Sequence, residues 1–350
     1  MEPGKKSTNS GWANLPLDLG YLITRKLSNL PDFVRFRAVC KAWCASAPVS
    51  DPPLGFPWIL EENTNLRGRL HFFCPSTGKV FTLPLPPQLQ NMCCAPSPDG
   101  YLIFCERNWL LQDKRMLFNP LTNHLVNLPF VELPLYYDTE PLYRRGDYVV
   151  FSGTWCGFKK LAFFRLENKR WIKVSSFEYA SCCLSHDGLS LSFKYRPWGT
   201  RIVDTATNEE IGFIESPKGE EGEFVFLIES FGEILKVVMT NKTSHHIRFR
   251  IYKLAVVHSD DGKLNHSWVQ TDCIGDCVLF LSRKSCVSVK ASQFYKPLRN
   301  CIYYRNVLES GGSAICRYSI KDGETKEIPC IFENWQFFVP NLHHPNSSGS

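Results

Sequence analysis

The sequence lacks the signals that mark exported and membrane-inserted chains. Its first residues, MEPGKKSTNSG, contain no apolar segment of the kind that forms the core of a signal peptide. No run approaches the length of about eighteen apolar residues that a membrane-crossing helix needs. We therefore expect a soluble intracellular protein, in the cytoplasm, the nucleus or both, with no membrane partner.

Concentrated charge of one sign is also scarce. The formal net charge is +6, and basic residues occur in pairs such as Arg144-Arg145 and Lys159-Lys160. Proteins that bind nucleic acid usually gather lysine and arginine into longer blocks or stripes. No nucleic-acid partner is expected.

The usual signatures of an enzyme are missing as well. The sequence has no glycine-rich phosphate loop and no nucleophile elbow. Acidic pairs such as Glu209-Glu210 and Glu220-Glu221 stand in polar stretches and are typical of solvated surface, although the sequence alone does not exclude a glycosidase pair across a cleft. We expect no catalytic residue and no cofactor.

Cysteine is abundant, with fifteen residues, but it does not follow a metal-binding or disulfide pattern. Without an export signal, most of these thiols are expected to be reduced residues of the core. A structural zinc site needs four ligands in paired clusters, and no Cys-x-x-Cys pair occurs. The close pairs that are present are Cys273 and Cys277, Cys93 and Cys94, His245 and His246, and His343 and His344. We therefore expect no metal.

The most informative segment is 12–43, WANLPLDLGYLITRKLSNLPDFVRFRAVCKAW. Asn14 is predicted to cap a first helix that has Pro16 and Asp18 in its first turn. Apolar residues then recur every three to four positions, which places them on one face: Leu15, Leu19, Leu22, Ile23 and Leu27.

A second amphipathic helix is predicted over 33–43, with Asp32 as its cap. Its apolar positions also recur at helical spacing and are Phe33, Phe36, Val39, Cys40 and Trp43. Two helices joined so closely bury too little surface to be stable alone, so they need a partner or a neighbouring domain.

Together these residues resemble an F-box. The resemblance implies that the module binds a Skp-type adaptor and, through it, a cullin scaffold. The adaptor-binding positions that it implies are Leu15, Pro16, Leu19, Ile23, Leu27, Phe36, Val39, Cys40 and Trp43. Gly20 stands where Leu or Val usually continues the stripe, and glycine inside a helix costs about 1 kcal/mol, so adaptor affinity is expected to be lowered. The alternative is that the helices only cap the large domain and bury their stripe against it.

Beyond the helices the sequence predicts an all-β domain. The proline-rich stretch 45–57 reads as a linker, and short β-branched and aromatic runs follow, separated by turn residues every eight to twelve positions. The predicted organisation is a disordered N-terminus at 1–10, the F-box at 11–47, a linker at 48–57, a propeller-like domain at 58–340 and a flexible tail at 341–350.

Internal repeats predict a β-propeller. CCAPSPDGYLIF at 93–104 resembles CCLSHDGLSLSF at 182–193, and Asp187 lies 187 − 99 = 88 positions after Asp99. A second echo is a strand, a polar turn and a strand, in FFCPSTGKVFTLP, MLFNPLTNHLVNLP, RIVDTATNEEIGFI and CRYSIKDGETKEIP. Four-stranded blades repeat about every 40–50 residues, which predicts six or seven blades.

The C-terminal part resembles the kelch-like domain of unknown function that follows the F-box in a large plant family. The residues that carry this resemblance are the Leu-Phe-Leu triplet at 279–281, Asn-Cys-Ile-Tyr-Tyr at 300–304 and the stretch from Trp335 to Pro340. They are apolar or turn-forming, so they indicate a fold and not a reactive centre.

Two classes of function follow. The resemblance implies a substrate receptor of a Skp-cullin-F-box ubiquitin ligase, in which the propeller binds an unknown target protein. The alternatives are a ligand-binding or carbohydrate-active propeller with a helical cap, or an F-box protein that acts outside a ligase. Trp109, Trp155 and Trp198 stand beside turn residues and could contact a target, but packing inside or between blades explains them equally well.

Overall fold

The computed structural model describes most of residues 11–340. The parts of this range that it leaves out are 28–29, 49–55, 63–67, 76, 98, 107–113, 130–139, 146–147, 156–157, 175–180, 185–188, 196–197, 205, 208, 217–223, 242–246, 259–263, 283–285, 294–298, 308–312, 329 and 331. The predicted disordered N-terminus and flexible tail, and most of the predicted linker, lie outside the described residues.

The N-terminal module contains three α-helices. They are α1 (Leu17–Thr24), α2 (Leu30–Arg37) and α3 (Lys41–Ser46). The predicted cap by Asn14 is wrong, because Asn14 ends a short 3-10 helix, Gly11–Asn14, and Pro16 precedes α1 in an extended conformation. Asp18 does lie in the first turn of α1, where its charge favours the helix.

The single helix predicted over 33–43 is broken into α2 and α3. Cys40 is fully extended, with φ −163° and ψ 170°, and precedes the first residue of α3. Asp32 lies inside the first turn of α2 and forms an ion pair of 2.8 Å with Arg35. The break lets Trp43 fold back and stack on Phe36, with ring centroids 4.5 Å apart.

The rest of the described chain is built from twenty-five strands. The strands of the first part are β1 (Trp58–Glu61), β2 (Arg69–Cys74), β3 (Lys79–Pro84), β4 (Cys93–Pro96), β5 (Leu102–Cys105), β6 (Arg115–Asn119), β7 (His124–Leu128), β8 (Glu140–Arg145), β9 (Tyr148–Trp155), β10 (Phe158–Arg165), β11 (Arg170–Val174), β12 (Ser181–Leu184), β13 (Leu189–Tyr195), β14 (Trp198–Asp204) and β15 (Glu210–Glu215). The remaining strands are β16 (Phe224–Ser230), β17 (Glu233–Asn241), β18 (Ile247–His258), β19 (Leu264–Thr271), β20 (Cys277–Leu281), β21 (Cys286–Lys290), β22 (Cys301–Val307), β23 (Ser313–Ser319), β24 (Thr325–Ile328) and β25 (Trp335–Phe338).

Five sheets have the regular four-stranded antiparallel form of a propeller blade. Their strand orders are β25-β1-β2-β3, β4-β5-β6-β7, β8-β9-β10-β11, β12-β13-β14-β15 and β16-β17-β18-β19. Edge strands of neighbouring sheets contact each other, as β4 does with β8 and β12 with β16. These edges are the inner strands of the propeller, because blades radiate from a common axis.

The last sheet departs from that form. It has five strands in the order β21-β20-β22-β23-β24, and β20 and β22 run parallel. After β20 the chain forms β21, which pairs with the inner side of β20. It then forms β22, which pairs with the opposite side of β20. The prediction of six or seven blades is therefore corrected: the described residues form five sheets with the regular blade form and one irregular sheet.

The repeats found in the sequence occupy equivalent places in the propeller. The segments 93–104 and 182–193 form the first hairpins of two sheets that are separated by one other sheet. The second set of echoes forms the last hairpins of four sheets, β2-β3, β6-β7, β14-β15 and β23-β24. The prediction of a propeller from these repeats is confirmed.

The first sheet joins the two ends of the propeller. In β25, Phe338 pairs with Trp58 and Trp335 pairs with Glu61 of β1, so the sheet forms only when both ends are present. Closing the ring in this way covers the inner side of β1, and β25 becomes the inner strand of the sheet.

Apolar side chains fill the spaces within and between the sheets. In the irregular sheet, Tyr303 stacks on Phe280 with centroids 5.0 Å apart and is almost fully buried. Burial raises the pKa of Tyr303 to about 12, although the nearby Arg317 guanidinium acts in the opposite direction.

Among the described residues, no helix has the length and apolar character that crossing a membrane demands.

Candidate functional site

One side of the helical module is buried with the propeller. Phe33 is fully buried, and it belongs to a single hydrophobic cluster that also contains strand residues of the first two sheets. We call this the shared cluster. Its members from the helical module are Leu30, Phe33, Phe36 and Ala47, and its strand members include Trp58, Leu60, Leu70, Phe72, Leu102, Phe104 and Phe118. The module and the first two sheets therefore have a common core.

The backbone at the end of α3 is hydrogen-bonded to a side chain of α2. Arg37 of α2 donates hydrogen bonds to the backbone oxygen of Cys44, at 3.3 Å, and to that of Ala47. These carbonyls belong to the end of α3, where the last turn of a helix leaves carbonyls without their usual partners; that of Cys44 also accepts from the Ala47 amide at 3.3 Å. The same guanidinium lies over the ring of Phe33, 5.9 Å from its centroid. These contacts hold α2 against the end of α3.

The other side of the module is apolar and open to solvent. On α1 we name the α1 surface, which is formed by Leu17, Leu19, Tyr21 and Leu22, all of which are exposed. Trp12, Val34 and Val39 of the same module are exposed too. Isolated exposed apolar residues are ordinary, but several large ones on so short a module are typical of a surface that binds a partner.

Gly20 lies on the buried side of α1 and has a packing role that the sequence did not reveal. A Cβ atom at this position would lie 2.3 Å from Ser46 Oγ and 2.6 Å from Ser46 Cβ. The missing side chain is therefore what lets α1 approach α3. Ser46 is buried in this contact, and its hydroxyl donates to the backbone oxygen of Trp43 at 2.9 Å.

The predicted adaptor-binding residues are divided between the two sides. Pro16, Leu19 and Val39 are exposed, while the partly buried residues are Leu15, Ile23, Leu27, Cys40 and Trp43. Phe36 is only 6% exposed, so it supports the module from inside and offers little area to a partner. Ile23, Leu27 and Trp43 pack against the shared cluster.

Several exposed apolar residues of the module were not among the predicted adaptor-binding residues. These are Trp12, Leu17, Tyr21, Leu22 and Val34. Helical periodicity shows that apolar residues share a stripe, but it does not show which stripe the third helix and the propeller cover. The indole of Trp43, for example, donates to the backbone oxygen of Trp12 at 2.8 Å, a contact between residues far apart in the sequence.

Other sequence candidates are not brought together. Trp155 ends β9 and Trp198 begins β14, so both stand at hairpin ends, whereas Trp109 lies outside the described residues. Within the part of the chain that the structure describes, no three His, Cys, Asp or Glu side chains form a group that could hold a metal. His245, His246, His343 and His344 fall outside that part. Cys273 and Cys277 are free thiols.

Comparison with known proteins places this architecture in a family. The KIB1-4 beta-propeller model matches residues 72–333. The F-box/kelch-repeat protein At1g57790 of Arabidopsis thaliana is 24% identical over 348 residues, which cover 91% of this chain and 90% of the relative. The putative F-box protein At3g25750 of the same plant is 22% identical over 338 residues, covering 84% and 87%.

Solved structures show a weaker likeness. TolB from Acinetobacter baumannii superposes with a TM-score of 0.47 and 10% identity, over 84% of this chain and 69% of TolB. The assignment depends on the family match over the propeller and on the plant relatives, which cover most of this chain. The chain therefore belongs to the KIB1-4 beta-propeller family, within the plant F-box proteins that have a C-terminal propeller.

Proposed function

We propose that this chain is the substrate-recognition subunit of a Skp-cullin-F-box ubiquitin ligase. In this proposal residues 11–47 bind a Skp-type adaptor, and the propeller at 58–340 binds a target protein. The observation that supports it best is the α1 surface, an exposed apolar patch on a module whose opposite side is already buried in the shared cluster. Only the exposed side is free to receive an adaptor.

The proposal assigns the predicted adaptor-binding residues two roles. Leu19, Pro16 and Val39 are accessible and contact the adaptor directly, together with Leu17 and Leu22. The buried and half-buried residues, led by Phe36 and Trp43, hold the helices in place through their stacked rings. Adaptor binding thus depends on both groups, but only the first group loses exposed area when the adaptor binds.

The chain itself carries out no chemistry in this proposal. A receptor accelerates ubiquitin transfer by holding the target near the charged enzyme, which raises the effective concentration of the reacting groups. The shared cluster supports such a role, because a propeller packed on its own adaptor-binding module presents the target in a fixed direction. The proposed places of action are the cytoplasm and the nucleus.

We also propose that each of the six sheets is one blade. The irregular sheet then completes the ring between the blade of β16–β19 and the blade that β25 closes. Its inner strand β21 contacts β16 as the other inner strands contact each other.

The test is co-purification of the full chain with a Skp-type adaptor and a cullin. The double variant Leu19→Ala, Leu22→Ala removes two α1 side chains that are 46% and 58% exposed. Burying a whole leucine is worth about 1.5–3 kcal/mol, so burying the exposed half of each gives about 1 kcal/mol. The pair should weaken adaptor binding roughly 30-fold.

Val80→Ala, Val269→Ala is the matched control, since both valines are about half exposed and lie on outer strands of the propeller. It should bind the adaptor as the wild type does. Failure of the wild-type chain to bind any Skp-type adaptor would refute the proposal. Adaptor binding without cullin would point to an F-box protein that acts outside a ligase.

A further inference from the structure

An aromatic residue occupies a strained position in the hairpin between β16 and β17. Ser230 pairs with Glu233, which leaves a two-residue turn of Phe231 and Gly232. Their φ angles are +50° and +90°, the left-handed values that a type I′ turn requires at both central residues. Asn and Asp are the usual residues at the first of these positions, and a bulky side chain there is an outlier.

Packing does not account for the phenylalanine. Phe231 is 51% exposed, so its ring gains little from the core in return for the unfavourable backbone. The turn is stabilised without the ring, because the Gly232 amide donates to Glu229 Oε1 at 2.9 Å. A strained residue that the fold does not need is a candidate for a role in binding.

The turn lies at one mouth of the propeller. β16 and β21 are inner edge strands of neighbouring sheets and contact each other. The hydroxyl oxygens of Ser230, which ends β16, and Ser288, in the middle of β21, are 2.7 Å apart. Lys290, which ends β21, lies beside Phe231, so both strands end on the same face. Loops at such a mouth are common places for propellers to bind ligands.

A cation stands beside the exposed ring. The Lys290 ammonium lies 5.0 Å from the centroid of Phe231 and is itself exposed. The neighbouring acidic residues are engaged: Glu229 accepts from Gly232, and Glu233 is paired with Lys253 at 2.8 Å. The ring therefore presents an apolar surface with an adjacent positive charge.

We propose that Phe231 and Lys290 form a target-binding site that takes an extended segment with an apolar side chain flanked by Asp or Glu. This inference rests on the proposed function, since it names the kind of target segment that the receptor holds. The apolar side chain packs on the Phe231 ring, and the acidic neighbour pairs with the Lys290 ammonium. Aromatic residues are frequent anchors in protein interfaces because they bury much area at little entropic cost.

The test selects peptides from a random twelve-residue phage library on the immobilised full chain. The wild type should enrich sequences with an apolar residue beside Asp or Glu, at least tenfold over Phe231→Asn. Lys290→Glu should shift the enriched flanks to Lys or Arg. Phe224→Asn is the matched control, because Phe224 is an exposed phenylalanine at the opposite end of the same strand, and it should select as the wild type does.

Thermal unfolding separates a binding role from a structural one. Phe231→Asn creates the favoured Asn-Gly turn, so the Tm of this variant should be roughly 1–3 °C above that of the wild type. A lower Tm, or the same acidic peptides selected by Phe231→Asn, would overturn the proposal. All variants should co-purify with the adaptor as the wild type does, so a failure of the α1 surface is distinguishable from a failure of this site.

Discussion

Replacing Gly20 with alanine should destabilise the helical module, although alanine is the better helix former. Helix propensity alone would favour Gly20→Ala by about 1 kcal/mol. Against this, the new Cβ would lie 2.6 Å from Ser46 Cβ, which is fixed to the backbone and cannot rotate away. Overpacking of this kind typically costs 1–3 kcal/mol. After the gain in helix propensity is subtracted, we expect the free energy of unfolding to fall by about 1 kcal/mol.

The cause can be isolated by removing the opposing side chain. In a Ser46→Gly background both close contacts vanish, and the next atom, Leu15 Cδ2, would be 3.7 Å from the Cβ, an ordinary separation. Gly20→Ala should then stabilise the chain by up to about 1 kcal/mol, the propensity term alone. The coupling energy between positions 20 and 46 is the difference between the effects of Gly20→Ala in the two backgrounds, about 2 kcal/mol.

The assay is urea unfolding of the four chains of this cycle, followed by circular dichroism and by tryptophan fluorescence. The far-ultraviolet signal near 222 nm of the α-helices reports the module best. If Gly20→Ala proved equally stabilising in both backgrounds, the close approach of α1 to α3 would not be the reason for the glycine. Adaptor binding measured on the same proteins shows whether the helix separation matters for the partner.

Further predictions concern the core and the thiols. Phe33→Ala should cost about 3–5 kcal/mol in the free energy of unfolding because the ring is fully buried, whereas the exposed neighbour Val34→Ala should change it by less than about 0.5 kcal/mol, both measured by urea titration. Since the pKa of Tyr303 is raised to about 12, the unfolded chain releases this proton first, and stability should fall between about pH 10 and 12 by about 1.4 kcal/mol per unit. Tyr303→Phe should make that alkaline fall shallower. Ellman's reagent should modify the exposed Cys273 within seconds and the buried Cys74 only on unfolding, as timed absorbance would show.

Much of the propeller was predictable because its signals are local. Alternation of apolar residues, Asp-Gly turns and the spacing of repeats all act within a few tens of residues. Asp322-Gly323 illustrates this: Gly323 has φ +73°, and the Glu324 amide donates to Asp322 Oδ1 at 3.0 Å, as expected for hairpin chemistry. The irregular sheet was not predictable, because the parallel pairing of β20 with β22 depends on a return of the chain that leaves no local pattern.

Less of the helical module than of the propeller could be predicted from the sequence. Its helices could be recognised from periodicity, but the faces that they bury depend on contacts with distant residues. Phe36 and Leu19 look equivalent in the sequence, yet the first is inside the module and the second is exposed. The role of Gly20 was likewise invisible, because Ser46 lies twenty-six positions away (46 − 20 = 26) and marks no periodic partner.

The pairing of β25 with β1 has a consequence for synthesis on the ribosome. The inner strand of the first sheet is made after the other twenty-four described strands, so a nascent chain exposes one side of β1 until all of these strands have been synthesised. Chaperones that cover unpaired strand edges should therefore accompany this protein late into its synthesis. A premature stop codon just before Trp335 would keep twenty-four of the twenty-five described strands, yet it would leave the ring permanently open and the product a substrate for quality control.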